Sequence, residues 1–199
     1  MTYKIGVYGS NRIESEAAVQ AAQSLGAALA RQGAIVITGA CSGMPYAVAR
    51  AARQEGAEVW GFTPALTKEE HRSAFPDDDS SIYAKLFFVP EQYRQLFFLA
   101  QPRSSAQDWG MRLKYRNVVS TIQADAGIIL SGGWGTLNEF TNLIYEGKPI
   151  GVYTGTGGLA DELPQWFSKL RKKSESQVFF SSQPIELVAS LTRVLESAM

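Results

Sequence analysis

The feature that most constrains this chain is a repeated local order: a short β-rich apolar run, a turn of glycine and serine, then a stretch with apolar residues at helical spacing. Lys4-Ile-Gly-Val-Tyr8 stops at Gly9-Ser10-Asn11, and residues 14–31 then carry Ala18, Ala21, Ala22, Leu25 and Leu29 on one helical face, with Gly33 as the stop. Ala34-Ile-Val-Ile-Thr38 repeats the pattern through Gly39-Ala-Cys-Ser-Gly43 into a helix over 45–55 closed by Gly56, and residues 58–63 form a third strand. Consecutive strands separated by helices need right-handed crossovers and a parallel sheet. The expectation is an α/β, Rossmann-like doubly wound fold, a mostly parallel sheet of about seven strands with helices on both faces.

The second half supplies the remaining elements. A helix is expected over 110–124, a buried strand at Ala126-Gly-Ile-Ile-Leu130, a helix over 137–146 and a strand over 148–153. A helix over 159–172 would turn Leu163, Trp166, Phe167 and Leu170 inward; a short strand at 177–180 and an amphipathic helix over 184–196 follow, with Pro184 in its first turn. Between them, residues 64–110 break the alternation and read as an irregular insertion. Lys85-Leu-Phe-Phe-Val89, ended by Pro90, is its one clear strand; residues 91–100, with Tyr93, Leu96, Phe97, Phe98 and Leu99, are too apolar for a free loop and fit a lid or a dimerisation surface.

Composition narrows the function classes. With 199 residues, 45% hydrophobic and 19% charged, the chain suits a single compact globular domain spanning 1–199. Its 19 basic and 19 acidic residues cancel, which leaves no electrostatic footprint for a nucleic acid polymer or a membrane surface, while a small anion needs only a local site. One cysteine, Cys41, excludes an intrachain disulfide, and one histidine, His71, argues against a histidine-based metal centre. No metal and no cofactor are expected. Without a signal-like or membrane-spanning run, the protein reads as soluble and cytoplasmic.

Ligands of open α/β sheets bind where loops gather at the carboxyl ends of strands. Four glycine or serine loops qualify: Gly9-Ser10, Gly39 to Gly43, Ser131 to Gly135, and Thr154 to Gly158. The third is the strongest candidate for an anion cradle. Gly132, Gly133 and Gly135 let backbone amides approach a phosphate, Thr136 adds a hydroxyl, and a helix N-terminus opens there. Neither the Walker lysine nor the Gly-x-Gly-x-x-Gly spacing of dinucleotide sites is present. Arg112, Lys114 and Arg116 form a small basic cluster near the expected phosphate.

Arg116-Asn117, Asp125, the strand at 126–130 and Ser131-Gly-Gly-Trp-Gly-Thr-Leu-Asn-Glu139 together resemble the signature of the Lonely Guy superfamily of phosphoribohydrolases: Pro-Gly-Gly-x-Gly-Thr-x-x-Glu after a helix carrying arginine. Gly39-Ala-Cys-Ser-Gly43 is similar to that family's first glycine loop, and Ile5 to Ser10 to its opening strand and turn. The resemblance implies a homodimer that binds a nucleoside 5′-monophosphate and hydrolyses its N-glycosidic bond. Matched by position, Glu139 and Arg116 are the catalytic pair; Gly132, Gly133, Gly135 and Thr136 hold phosphate, with Gly39, Gly43, Ser10 and Arg112 added to the nucleotide site. A carboxylate fits chemistry that develops positive charge on ribose, and an arginine fork fits phosphate or sugar. Arg-Asn, in turn, is similar to the branch that includes molybdenum-cofactor carrier proteins, which implies the alternative of a non-catalytic carrier or sensor for a nucleotide or pterin cofactor.

The remaining features read as structural. Cys41 is expected to be a small buried residue, His71 a solvated one in a charged loop, and Asp77-Asp78-Asp79 a solvated turn rather than a metal site. Phe87, Phe88, Phe97 and Phe98 are expected in core or subunit contact. Nothing marks a pyridoxal-phosphate lysine.

Overall fold

The computed structural model describes residues 2–13, 15–96, 104–169 and 174–198. Seven strands, β1 (Lys4–Gly9), β2 (Ile35–Thr38), β3 (Val59–Phe62), β4 (Lys85–Phe87), β5 (Ala126–Leu130), β6 (Ile150–Tyr153) and β7 (Val178–Ser181), form one sheet in the order β4-β3-β2-β1-β5-β6-β7. Every neighbouring pair is parallel. The expected doubly wound fold is therefore present, with the sheet wholly rather than mostly parallel. Strand order reverses between β1 and β5, which opens a crevice at their carboxyl ends. Gly9 makes that junction close: a Cβ there would stand 2.2 Å from the Leu130 carbonyl oxygen.

Helices α1 (Glu16–Arg31), α2 (Met44–Gln54) and α8 (Pro184–Ser197) cover one face; α5 (Ser105–Gln123), α6 (Trp134–Tyr145) and α7 (Gly158–Lys169) cover the other. Strand residues alternate between the two cores, as the pleat requires. Ile128 and Leu130 pack with Leu25, Leu29 and Val48 on the first face, whereas Ile129 packs with Phe140, Leu143 and Leu163 on the second. Within α7, Trp166 is 44% exposed rather than turned inward, and Leu170 lies outside the described residues.

The 64–110 stretch is more regular than its sequence suggests. It holds α3 (Lys68–Ala74), a 3-10 turn at Ser80–Ile82, β4, α4 (Tyr93–Leu96) and the start of α5. Helix α5 begins at Ser105, not near Gly110, because the Ser104 hydroxyl accepts from the Gln107 amide at 3.2 Å and caps it. Phe97, Phe98 and Leu99 of the expected lid or dimer surface lie outside the described residues. His71 is not solvated: it is buried on α3 with Nδ1 2.9 Å from Thr63 Oγ1, and burial pushes its imidazole down. No helix among the described residues is long and apolar enough to cross a membrane.

Candidate functional site

The crevice between β1 and β5 is a cleft of about 710 Å³, lined by residues from the loops after β1, β2 and β5, from α5 and α6, and from the end of α3. Its Gly132–Thr136 side is built around α6. Helices α1, α3 and α5 are capped by the side chains of Ser15, Thr67 and Ser104, but α6 has Gly133 at its N-cap and no side-chain cap. The first-turn amides of α6 are thus left without an intrahelical partner on the cleft wall. A Cβ at Gly133 or Gly135 would meet open space. Gly132 differs: φ is +99°, and a Cβ would stand 2.4 Å from Thr136 Oγ1, so this position is closed to any side chain.

Among the described residues, two non-glycine residues adopt positive φ, Ala40 (45°) after β2 and Ser131 (50°) after β5, both beside the cleft. Each amide is held by a threonine hydroxyl, Ala40 N to Thr38 Oγ1 at 3.2 Å and Ser131 N to Thr156 Oγ1 at 2.8 Å. Backbone in this region persists only where its surroundings impose it. The Thr154 to Gly158 loop has this supporting role and does not line the cleft. Its Gly155 and Gly157 amides donate to Asp161, while Leu159 and Ala160 amides donate to the Gly132 and Ser131 carbonyls at 2.9 and 3.1 Å.

At the centre, Arg116 Nη1 of α5 stands 3.1 Å from Glu139 Oε1 of α6, with both side chains at most 10% exposed. Burial pushes the Glu139 carboxyl up to about 7, against the pull of Arg116. The Asn117 carboxamide, oriented to satisfy its neighbours, donates to the same Oε1 at 3.1 Å and to the Leu113 carbonyl at 3.0 Å. Gly39 makes room for the guanidinium: a Cβ there would lie 1.8 Å from Arg116 Nη1. Arg116 Nη2 also donates to Cys41 Sγ at 3.6 Å, and burial raises the thiol above its usual range, so Cys41 is a neutral wall residue rather than a thiolate. Tyr8 is buried beside this pair, its phenol pushed well above the usual range by burial and then by the Glu139 carboxylate.

Of the residues singled out from sequence, Ser10, Gly39, Arg116, Gly132, Gly133, Gly135, Thr136 and Glu139 all line the cleft. Gly43 supports it from behind: its φ is +101°, and a Cβ would stand 2.4 Å from the Ser10 carbonyl oxygen, which accepts from the Met44 amide at 2.9 Å. Arg112 is elsewhere. Its Nη1 donates to both carboxylate oxygens of Glu70, at 2.8 and 2.9 Å, and Nε pairs with Asp108 at 3.1 Å, so acidic neighbours from α3 and its own helix occupy the guanidinium. The Asp77 to Asp79 turn is partly engaged as well, Ser42 Oγ donating to Asp78 Oδ2 at 2.9 Å. Among the described residues, no group of three or more His, Cys, Asp or Glu side chains could hold a metal ion. Sequence reading missed Phe75 and Trp109, which wall the cleft; only the structure brings α3 over it.

The glycine-capped helix α6 thus carries one half of a buried Arg–Glu pair at the strand switch point. Residues 2–87 match the SLOG cluster4 family. That match covers less than half of the chain and stops before the Arg116 to Glu139 segment. Among solved structures, TM1055, a structural genomics target, superposes with a TM-score of 0.72 at 20% identity, over 96% of this chain and 98% of its own. The molybdenum cofactor binding protein of the phototrophic bacterium Rippkaea orientalis gives 0.68 at 18% identity, over 98% of each chain. The molybdenum cofactor carrier protein of Chlamydomonas reinhardtii gives 0.65 at 18%, over 98% and 99%. At these identities the shared property is the fold. No curated protein matches the chain.

Proposed function

We propose that the cleft binds a nucleoside 5′-monophosphate and hydrolyses its N-glycosidic bond, releasing the free base and ribose 5-phosphate. The observation that carries this reading is the buried Glu139 carboxyl, poised near 7 beside Arg116 and one helical turn from the open glycine-flanked amides of α6. Phosphate sits on Gly133, Gly135 and the Thr136 amide, where the helix dipole and free donors favour an anion. The ribose then lies over Glu139. Ionised Glu139 takes a proton from water as its oxygen bonds to C1′; the C1′–N bond breaks, and the base leaves with a proton returned to its nitrogen. The carboxylate also stabilises the positive charge that develops on the ribose, as in glycosidases. The resemblance of residues 116–139 to the Lonely Guy signature supports the same assignment, and a homodimer belongs to it. Sedimentation of the pure chain tests the dimer; a monomer at micromolar concentration would remove it.

A second reading is favoured by one observation: Oε1 of Glu139 already accepts from both Arg116 and Asn117. A carboxylate so engaged suits binding without turnover, and two of the superposed structures are molybdenum cofactor binding or carrier proteins. Incubation with a panel of nucleoside monophosphates separates the readings. Released base, abolished by Glu139→Gln with affinity retained, is the expected result; binding without release from any of them supports the carrier.

A further inference from the structure

The wall of the cleft opposite the α6 amides is aromatic. Helix α5 presents Trp109, Leu113, Arg116 and Asn117 to the cleft at spacings of four, three and one, a single helical face that is apolar at its start and polar at its end. Phe75, at the end of α3, meets Trp109 with ring centroids 6.3 Å apart and planes at 43°. Both rings have close neighbours. The Arg112 guanidinium lies 5.0 Å from the centre of the indole and is itself fixed by Glu70 and Asp108, and His71 packs 5.3 Å from Phe75. Neither the glycine loops nor the Arg116–Glu139 pair requires any of this, yet the ion-paired Arg112 packs on Trp109 and His71 packs on Phe75 where the two rings line the cleft.

We infer that Phe75 and Trp109 form the subsite for a fused bicyclic heteroaromatic ring, of purine or pterin size, carried by the phosphorylated ligand. Two rings tilted against each other offer a platform wider than a single six-membered ring needs, and aromatic faces bind flat heterocycles by stacking. From Trp109 to Arg116 the helix advances about 10 Å, which leaves room for such a ring beyond the sugar while the phosphate stays on α6. Rings already immobilised by Arg112 and His71 lose little freedom when a ligand docks. Arg112, which the basic cluster suggested for phosphate, acts instead as the positioning residue of this wall. The inference rests on the phosphate-on-α6 reading above and deepens it.

Calorimetric titration with ribose 5-phosphate, uridine monophosphate, adenosine monophosphate and a pterin monophosphate tests it on the full chain. At least one bicyclic ligand should bind about tenfold more tightly than uridine monophosphate and ribose 5-phosphate, and which one identifies purine or pterin as the source. Trp109→Ala and Phe75→Leu should erase that preference while leaving ribose 5-phosphate affinity unchanged, which also shows that the variants are folded; Trp109→Phe should keep most of it. Equal binding of all four by the wild type overturns the platform and leaves the phosphate site standing. A preference that survives Trp109→Ala but is lost in Trp134→Ala, at the exposed indole on the phosphate loop, also overturns it. Failure of every ligand, ribose 5-phosphate included, overturns the nucleotide reading together with this one.

Discussion

Glu139 and Gly39 decide what the site can do. A carboxyl with its pKa near 7 is protonated in mild acid and ionised in mild base, so a general-base role predicts that kcat/KM rises with pH through about 7 and then levels; stopped assays of base release across the range check this, and a falling limb there would make Glu139 an acid instead. Gly39 is constrained by contact rather than by dihedral angle. Gly39→Ala would drive a methyl into Arg116 Nη1, and since the obstacle is the end of a side chain, the guanidinium moves rather than the strand. Thermal stability should fall by about 1–3 kcal/mol, while turnover drops on the order of a hundredfold as Arg116 leaves Glu139. Arg116 and Glu139 are paired in the sequence only through the resemblance to the Lonely Guy signature, and the fold sets them 3.1 Å apart. Arg112 lies four residues from Arg116 on the same helix face. What separates them is Glu70, forty-two positions earlier in the chain, and no local pattern announces that pairing.

Among the elements, the Ser131 to Gly135 loop depends on its neighbour. The Thr154 to Gly158 segment looks like a fourth glycine loop for ligand, but its Gly155 and Gly157 amides donate to Asp161 and the Leu159 and Ala160 amides just after it donate to the Gly132 and Ser131 carbonyls, so it serves as a buttress. Thr156 joins the two, its hydroxyl accepting from Ser131 N and donating to the Tyr153 carbonyl at 2.6 Å. Thr156→Val keeps the shape and strands the Ser131 amide, which costs about 1–3 kcal/mol when buried. Ser131 should then leave its positive-φ conformation, and nucleotide affinity should fall by about tenfold with little change in kcat; titration against wild type measures it, and unchanged affinity would show the loop to be self-supporting. The start of α5 shows the opposite case. Ser104 and Gln107 form the S-x-x-Q spacing of a capping box, a signal present in the sequence but masked by the polar run around it.

For the whole molecule, the site's electrostatics bear on stability. Glu139 has its folded-state pKa raised from 4.5 to about 7, so its contribution is fully present below about pH 4.5 and is lost as pH rises through 7. The size is about 3 kcal/mol. Unfolding measurements on wild type and Glu139→Gln from about pH 4.5 to pH 8 should therefore show the variant gaining relative to wild type by roughly that amount, whereas a constant difference would mean that Arg116 keeps Glu139 ionised throughout. The alternation of apolar runs, glycine turns and amphipathic stretches was enough to set about seven strands in a mostly parallel sheet, with glycine loops at their carboxyl ends and one of them opening α6, because each depends on residues close together in the chain. The tertiary structure alone decided that α3 folds over the cleft to bring Phe75 against Trp109, that His71 is buried on Thr63, and that Arg112 pairs with Glu70 and Asp108. These outcomes turn on pairings between distant segments, where burial and charge neutralisation outweigh any local preference.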